Sequence, residues 1–364
     1  MATPQATGTG GSRISDWFEE RLRARELFGA LLHVRIPIQA RTYYLGGITL
    51  FLFGIQVVTG TLLVLYYKPT PETAFDSVKY ITSVVEFGWL IRSVHHWAAN
   101  LMIICLVLHL VRIFIQGAYK YPRELTWIVG VGLLAATIGF GFTGYLLPWD
   151  QRAFWATVVG TEIAGGVPVI GESLLQLLRG GADVTEATLG RFFGMHVLVL
   201  PLTIGALLVV HLTIVHQLGL ANPTRPEPRP GTAAAAGDAG ANEQLKPFFP
   251  DYVLDEIIAW AAMLALLVVL ASVLPAGLEE KANPLETPTH VKPEWYFLSA
   301  YQLLKLVPRD LGIMAPIVAI GALALLPFLD RSREVRPRKR ILALLIGLVA
   351  AVVTVGLSTW GYYS

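Results

Sequence analysis

Seven stretches of this chain are long and apolar enough to cross a lipid bilayer, at about residues 43–67, 92–116, 125–147, 191–217, 252–274, 311–329 and 341–361. A spanning helix needs roughly 20 mostly apolar residues. Only such a helix satisfies all its backbone polar groups within one segment. The expected fold is therefore an all-α integral membrane protein with seven transmembrane helices. Composition agrees, because charged residues make up only 15% of the 364 positions, against about 25% in an ordinary soluble domain. A net charge of +2 gives no electrostatic reason to expect a nucleic-acid partner. The single cysteine, Cys105, excludes an internal disulfide, a multi-cysteine zinc or iron–sulfur site and a C-x-x-C-H haem attachment.

The segments between the spans set the organisation. Residues 13–33 mix Trp17, Phe18, Leu22, Leu27, Phe28 and Leu31 with Arg and Glu, which predicts an amphipathic helix lying on the membrane surface. No short apolar run follows the first basic residues, so no cleavable signal peptide is expected. Between the fourth and fifth spans, Pro223–Lys246 is rich in Pro, Gly and Ala and reads as a flexible linker. The expected units are thus a surface segment (1–40), a four-span unit (41–222), the linker (223–246) and a three-span unit (247–364). An odd number of spans puts the termini on opposite sides. With the N-terminus inside, 18 of the 28 Lys and Arg fall on inner segments, so the positive-inside rule puts the N-terminus in the cytoplasm and the C-terminus outside.

The histidines carry the chemistry. His95 and His109 lie 14 residues apart in the second span, and His196 and His211 lie 15 apart in the fourth. These intervals fall about 40° short of and about 60° past four helical turns, so each pair shares one face. The two spans run in the same direction. His95 therefore faces His196 near the outer surface, and His109 faces His211 about 21 Å deeper. Structural zinc takes four protein ligands, and two neutral imidazoles per site do not supply them. They do fit haem iron, whose porphyrin provides the equatorial nitrogens. Two non-covalent b-type haems are expected, each six-coordinate and suited to electron transfer. Gly46 and Gly60 in the first span, and Gly130 and Gly144 in the third, repeat the 14-residue interval. They are read as openings for close approach at the same two depths.

With these histidines, these glycines and the motif Pro293-Glu294-Trp295-Tyr296, the chain resembles cytochrome b of the cytochrome bc complexes, the quinol:cytochrome c or plastocyanin oxidoreductases, from about residue 30 to 360. Pro148-Trp149-Asp150-Gln151, the fourteen residues between His196 and His211 and the absence of an eighth span are similar to the photosynthetic branch. There the four-span haem subunit and a three-span partner are separate chains, and here they are fused. That branch attaches a third haem through a cysteine just before the first span. Leu32 stands at that place, so no covalent third haem is expected.

The resemblance implies an enzyme subunit, part of a proton-translocating quinol–cytochrome c reductase working by a Q cycle in a prokaryotic cell membrane. Its implied partners are a Rieske iron–sulfur protein, a c-type cytochrome or equivalent acceptor, the quinone pool, lipid and a second copy of the chain. It implies outer-site roles for Glu294, Tyr145 and Tyr301 as catalytic groups, and for Phe142, Pro293 and Tyr296 around quinol. Arg92 is implied near a haem propionate. In the stretch His211-Leu-Thr-Ile-Val-His216, which resembles the mitochondrial-type family, His216 is implied at an inner quinone site with Glu256. Two rivals remain at this stage. A di-haem membrane anchor of a quinone-linked dehydrogenase would lack the Pro-Glu-Trp-Tyr segment. A transporter using buried histidines as proton relays would show no haem spectrum.

Overall fold

A computed structural model describes residues 35–37, 44–221, 245–289 and 291–364. The surface helix expected over 13–33, Leu32, most of the 223–246 linker and His290 lie outside the described residues. Six described helices are long and apolar enough to cross a membrane, at Tyr44–Val64 (α1), Gly88–Ile115 (α3), Glu124–Leu146 (α4), Glu186–Leu218 (α7), Phe248–Val273 (α8) and Ile341–Tyr363 (α12). The protein is an integral membrane protein of almost wholly helical structure. The one described strand pair is short, with Arg35–Pro37 (β1) antiparallel to Leu245–Pro247 (β2).

The sixth expected span, 311–329, differs. It forms as Arg309–Ala324 (α10) and the single turn Leu326–Leu329 (α11), broken at Leu325. Pro327 explains the break, because it has no N–H to offer the carbonyl of Leu323 four residues back. Trp127 of α4 takes over that role, its indole donating to the Leu323 oxygen at 2.7 Å. A break forced by proline thus becomes a contact between α4 and α10.

The segment after α4 is helical. It folds into Gln151–Gly165 (α5) and Gly171–Arg179 (α6). Asp150 caps α5, its carboxylate accepting from the Ala153 amide at 2.9 Å. The buried Arg179 ties the two helices, donating to Thr161 Oγ1 at 2.7 Å and to the Val158 carbonyl at 2.8 Å. A short surface helix, Ala74–Ser83 (α2), precedes α3. After α8 the chain crosses irregularly to Leu298–Leu306 (α9).

Helix α1 packs on α3, and α4 on α7. Helix α7 contains one π turn, Met195–Val199, which ends two residues before Pro201. Such a turn accommodates about one extra residue relative to a regular α-helix. The 15-residue interval from His196 to His211 is thereby brought toward the phase of the 14-residue interval on α3.

Candidate functional site

The outer pair of histidines is built first by its glycines. A Cβ on Gly60 would lie 3.2 Å from His95 Cε1, and one on Gly144 would lie 2.5 Å from His196 Cε1. The inner pair repeats the pattern, with Gly46 against His109 Cε1 at 3.3 Å and Gly130 against His211 Cε1 at 3.6 Å. Each glycine therefore receives one imidazole edge. On α1 the glycines repeat every 14 residues as the α3 rings lodged against them do, and on α4 the same interval meets His196 and His211, 15 residues apart along a helix that includes a π turn.

Across the bundle His95 and His196 approach with ring centroids 6.3 Å apart. Two metal–nitrogen bonds of about 2 Å, with the imidazole rings extending beyond them, need a separation of roughly this size. The tautomer is also set. Thr59 Oγ1 donates to the Ile55 carbonyl at 2.7 Å and lies 2.8 Å from His95 Nδ1. Its one proton is committed to the helix, so it accepts from Nδ1–H and leaves the Nε2 lone pair free. Thr143 does the same, donating to Gly139 O at 2.9 Å while lying 3.2 Å from His196 Nδ1. Hydrogen bonding of the second ring nitrogen is how ligand histidines are oriented. The donor set thus fits two axial imidazoles on a haem. At the inner site the residues before the glycines are Leu45 and Val129, and the buried Nδ1 of His109 has no hydrogen-bond partner among the described residues.

The expected outer-site residues gather at one end of α4. Phe142 packs edge-on to Phe297 at 6.2 Å and tilted on Phe192 at 5.3 Å. The Tyr296 hydroxyl fills the space over Gly141, 2.7 Å from where a Cβ would stand. Tyr145 is half-buried, and its hydroxyl makes no hydrogen bond among the described residues. Burial raises the Glu294 carboxyl above the usual range, and the nearby Arg152 guanidinium offsets part of that rise. Burial and the Glu294 charge push the Tyr296 phenol up as well. Tyr301 donates to the Val291 carbonyl at 3.4 Å, which supports the loop rather than meeting Glu294. Arg92 is engaged elsewhere too, donating to the Ala276 and Gly277 carbonyls at 2.7 and 2.5 Å. A propionate in its reach would have to compete with both.

At the inner end Tyr252 donates to Glu256 at 2.9 Å, and the carboxylate of Glu256 occupies the space left by Gly47. Tyr44 stacks on Tyr252 at 5.2 Å and donates to Asp255 at 2.7 Å. His216 is exposed in the last turn of α7, and no hydrogen bond or ring contact among the described residues joins it to Glu256. Sequence reasoning overlooked Thr59, Thr143 and Arg152. The first two carried a readable signal, since each immediately precedes an outer glycine.

Comparison with known proteins decides the family. Residues 33–219 match the model described as Cytochrome b/b6/petB, and residues 281–363 match Cytochrome b(C-terminal)/b6/petD. The chain belongs to the cytochrome b family. This cytochrome b is 40% identical over 352 residues to a protein named cytochrome bc complex cytochrome b subunit from Chlorobaculum thiosulfatiphilum, covering 94% of this chain and 79% of the relative. It is 44% identical over 213 residues to cytochrome b6 of Synechococcus elongatus, covering 58% of this chain and 99% of that one. A solved structure titled Hyperthermophilic respiratory Complex III superposes with a TM-score of 0.85 at 34% identity, covering 95% of this chain and 91% of the other. Proteins of this family bind b-type haem.

Proposed function

We propose that the chain is the di-haem cytochrome b subunit of a proton-translocating quinol:cytochrome c oxidoreductase. The observation that carries this reading is the His95–His196 pair. Its rings stand 6.3 Å apart, and each Nδ1 meets a threonine whose proton is already donated, so the two Nε2 atoms are left as ligands. His95 and His196 hold the outer haem, and His109 and His211 the inner one. When bound, the haems supply one-electron transfer between the two faces of the membrane.

The remaining roles belong to the chain itself. Quinol binds at the outer site with its ring among Phe142, Tyr145, Pro293 and Tyr296. Glu294 accepts a quinol proton, a task suited to a carboxylate whose affinity for protons burial has raised. Tyr301 supports the loop that carries it. The inner site binds quinone near Glu256 and His216 and takes up protons there, so turnover as a Q cycle releases protons outside. The chain is organised as a four-span haem unit (41–222) joined by the 223–246 linker to a three-span unit (247–364). The N-terminus is cytoplasmic, in a prokaryotic cell membrane. The partners are a Rieske iron–sulfur protein, a c-type acceptor and a second copy of the chain, and no covalent third haem is attached.

The test is addition of duroquinol to the purified complex with cytochrome c as acceptor. Quinol-dependent reduction of both b-type bands and of the acceptor is expected. Bands that quinol leaves oxidised would overturn the proposal.

A further inference from the structure

The segment joining α8 to α9 is fastened along one face of α3. Beside the Arg92 bonds already described, Ser93 Oγ accepts from the Ala276 amide at 3.0 Å, and Trp97 Nε1 donates to the Leu274 carbonyl at 2.7 Å. One turn deeper, Asn100 Oδ1 accepts from Trp295 Nε1 at 2.6 Å. Positions 93, 97 and 100 form one helical stripe. Its upper members hold the start of the connecting segment. Asn100 holds the end of it, where the Pro293–Tyr296 turn carries Glu294.

The Asn100 amide has a fixed sense. Its Nδ2 donates to the His96 carbonyl at 2.9 Å on its own helix, which turns Oδ1 toward the indole. An asparagine within a membrane helix is retained at low cost only when both ends of its amide are bonded. Other anchors flank the turn: Lys292 donates to the Tyr362 carbonyl at 2.7 Å, and Tyr296 rests over Gly141. Of these contacts, only the Trp295 bond ties the turn to the helix that bears His95, five residues before Asn100.

We infer that Asn100 is a positioning residue for quinol oxidation, holding the Glu294 turn in register with the His95 helix through Trp295. This rests on the outer-site reading above. The test uses duroquinol oxidation by the purified complex carrying Asn100→Leu, Trp295→Phe or both. Trp295 is 41% exposed, so Trp295→Phe removes the donor with little demand on folding. Each single change is expected to lower kcat by about three- to tenfold, the scale of one hydrogen bond between membrane helices, with KM within about twofold and both b-type spectra unchanged. The double variant should be no slower than the slower single one, because both changes remove the same bond. Unchanged kcat in Asn100→Leu, or losses that multiply in the double variant, would overturn the assignment. A parent complex with b-type bands and no duroquinol oxidation would overturn the outer-site reading itself, and this role with it.

Discussion

Thr59 Oγ1 lies 2.8 Å from His95 Nδ1 after giving its only proton to the Ile55 carbonyl. One hydroxyl thereby fixes both the ring orientation and the tautomer of an imidazole 36 residues away. Bonding at the second nitrogen makes an imidazole a more basic ligand and favours ferric iron. Thr59→Val keeps the shape and removes the acceptor. The outer haem potential is expected to rise by roughly 40 mV, the one-electron equivalent of about 1 kcal/mol. The inner haem should not move. A redox titration followed in the visible bands separates the two.

The glycines give a graded prediction. A Cβ at Gly144 would stand 2.5 Å from His196 Cε1, whereas at Gly130 it would stand 3.6 Å from His211 Cε1, an ordinary contact. Gly144→Ala should therefore displace the ring and abolish the outer haem signal, while Gly130→Ala retains both signals. Low-spin resonances of the purified variants check this. Equal behaviour of the two would mean that the glycines do not make room for the rings.

Glu294 is half-buried, and burial raises its proton affinity. A base works only when deprotonated, so quinol oxidation should fall as pH drops through a value above the usual glutamate range of about 4.3. Glu294→Gln should lower kcat by about a hundredfold or more and erase that acid limb, with both haem spectra intact. A pH–rate profile with its acid limb unchanged in Glu294→Gln would remove this residue from the proton path.

Asp330 ties the segment after α11 to the segment between α3 and α4. It accepts from Tyr119 at 2.5 Å, pairs with Lys120 at 2.9 Å and lies 3.5 Å from Arg340. Burial opposes its charge, but the bonds from Tyr119 and Lys120 prevail and hold its carboxyl below the usual range. The stabilisation is thus present above the unfolded-state value and lost as pH falls through the depressed one. Asp330→Asn leaves the buried Lys120 and Arg340 without their anion and should cost about 3 kcal/mol. The midpoint of thermal unfolding in detergent reads this out, and an unchanged midpoint would make the network energetically neutral.

Much of this was legible in the sequence because it rests on periodicity. The spacing of His95, His109, His196 and His211 follows from helix geometry, and five of the seven expected spans form whole in close to their expected places, with a sixth, α7, extended at its start. What was hidden depends on tertiary partners. Pro327 announces a break, but not that the Trp127 indole replaces the missing donor. Arg92 reads as an anion partner, yet its bonds go to carbonyls 184 and 185 residues away. The π turn at Met195–Val199 leaves no mark beyond Pro201 and the extra residue in the histidine interval.

The most direct measurement is a pyridine hemochrome count per polypeptide on the purified protein, repeated for His109→Leu. Two b-type haems in the parent and loss of the inner one alone in the variant are predicted. No haem in the parent, or two in His109→Leu, would contradict the four-imidazole assignment on which everything else depends.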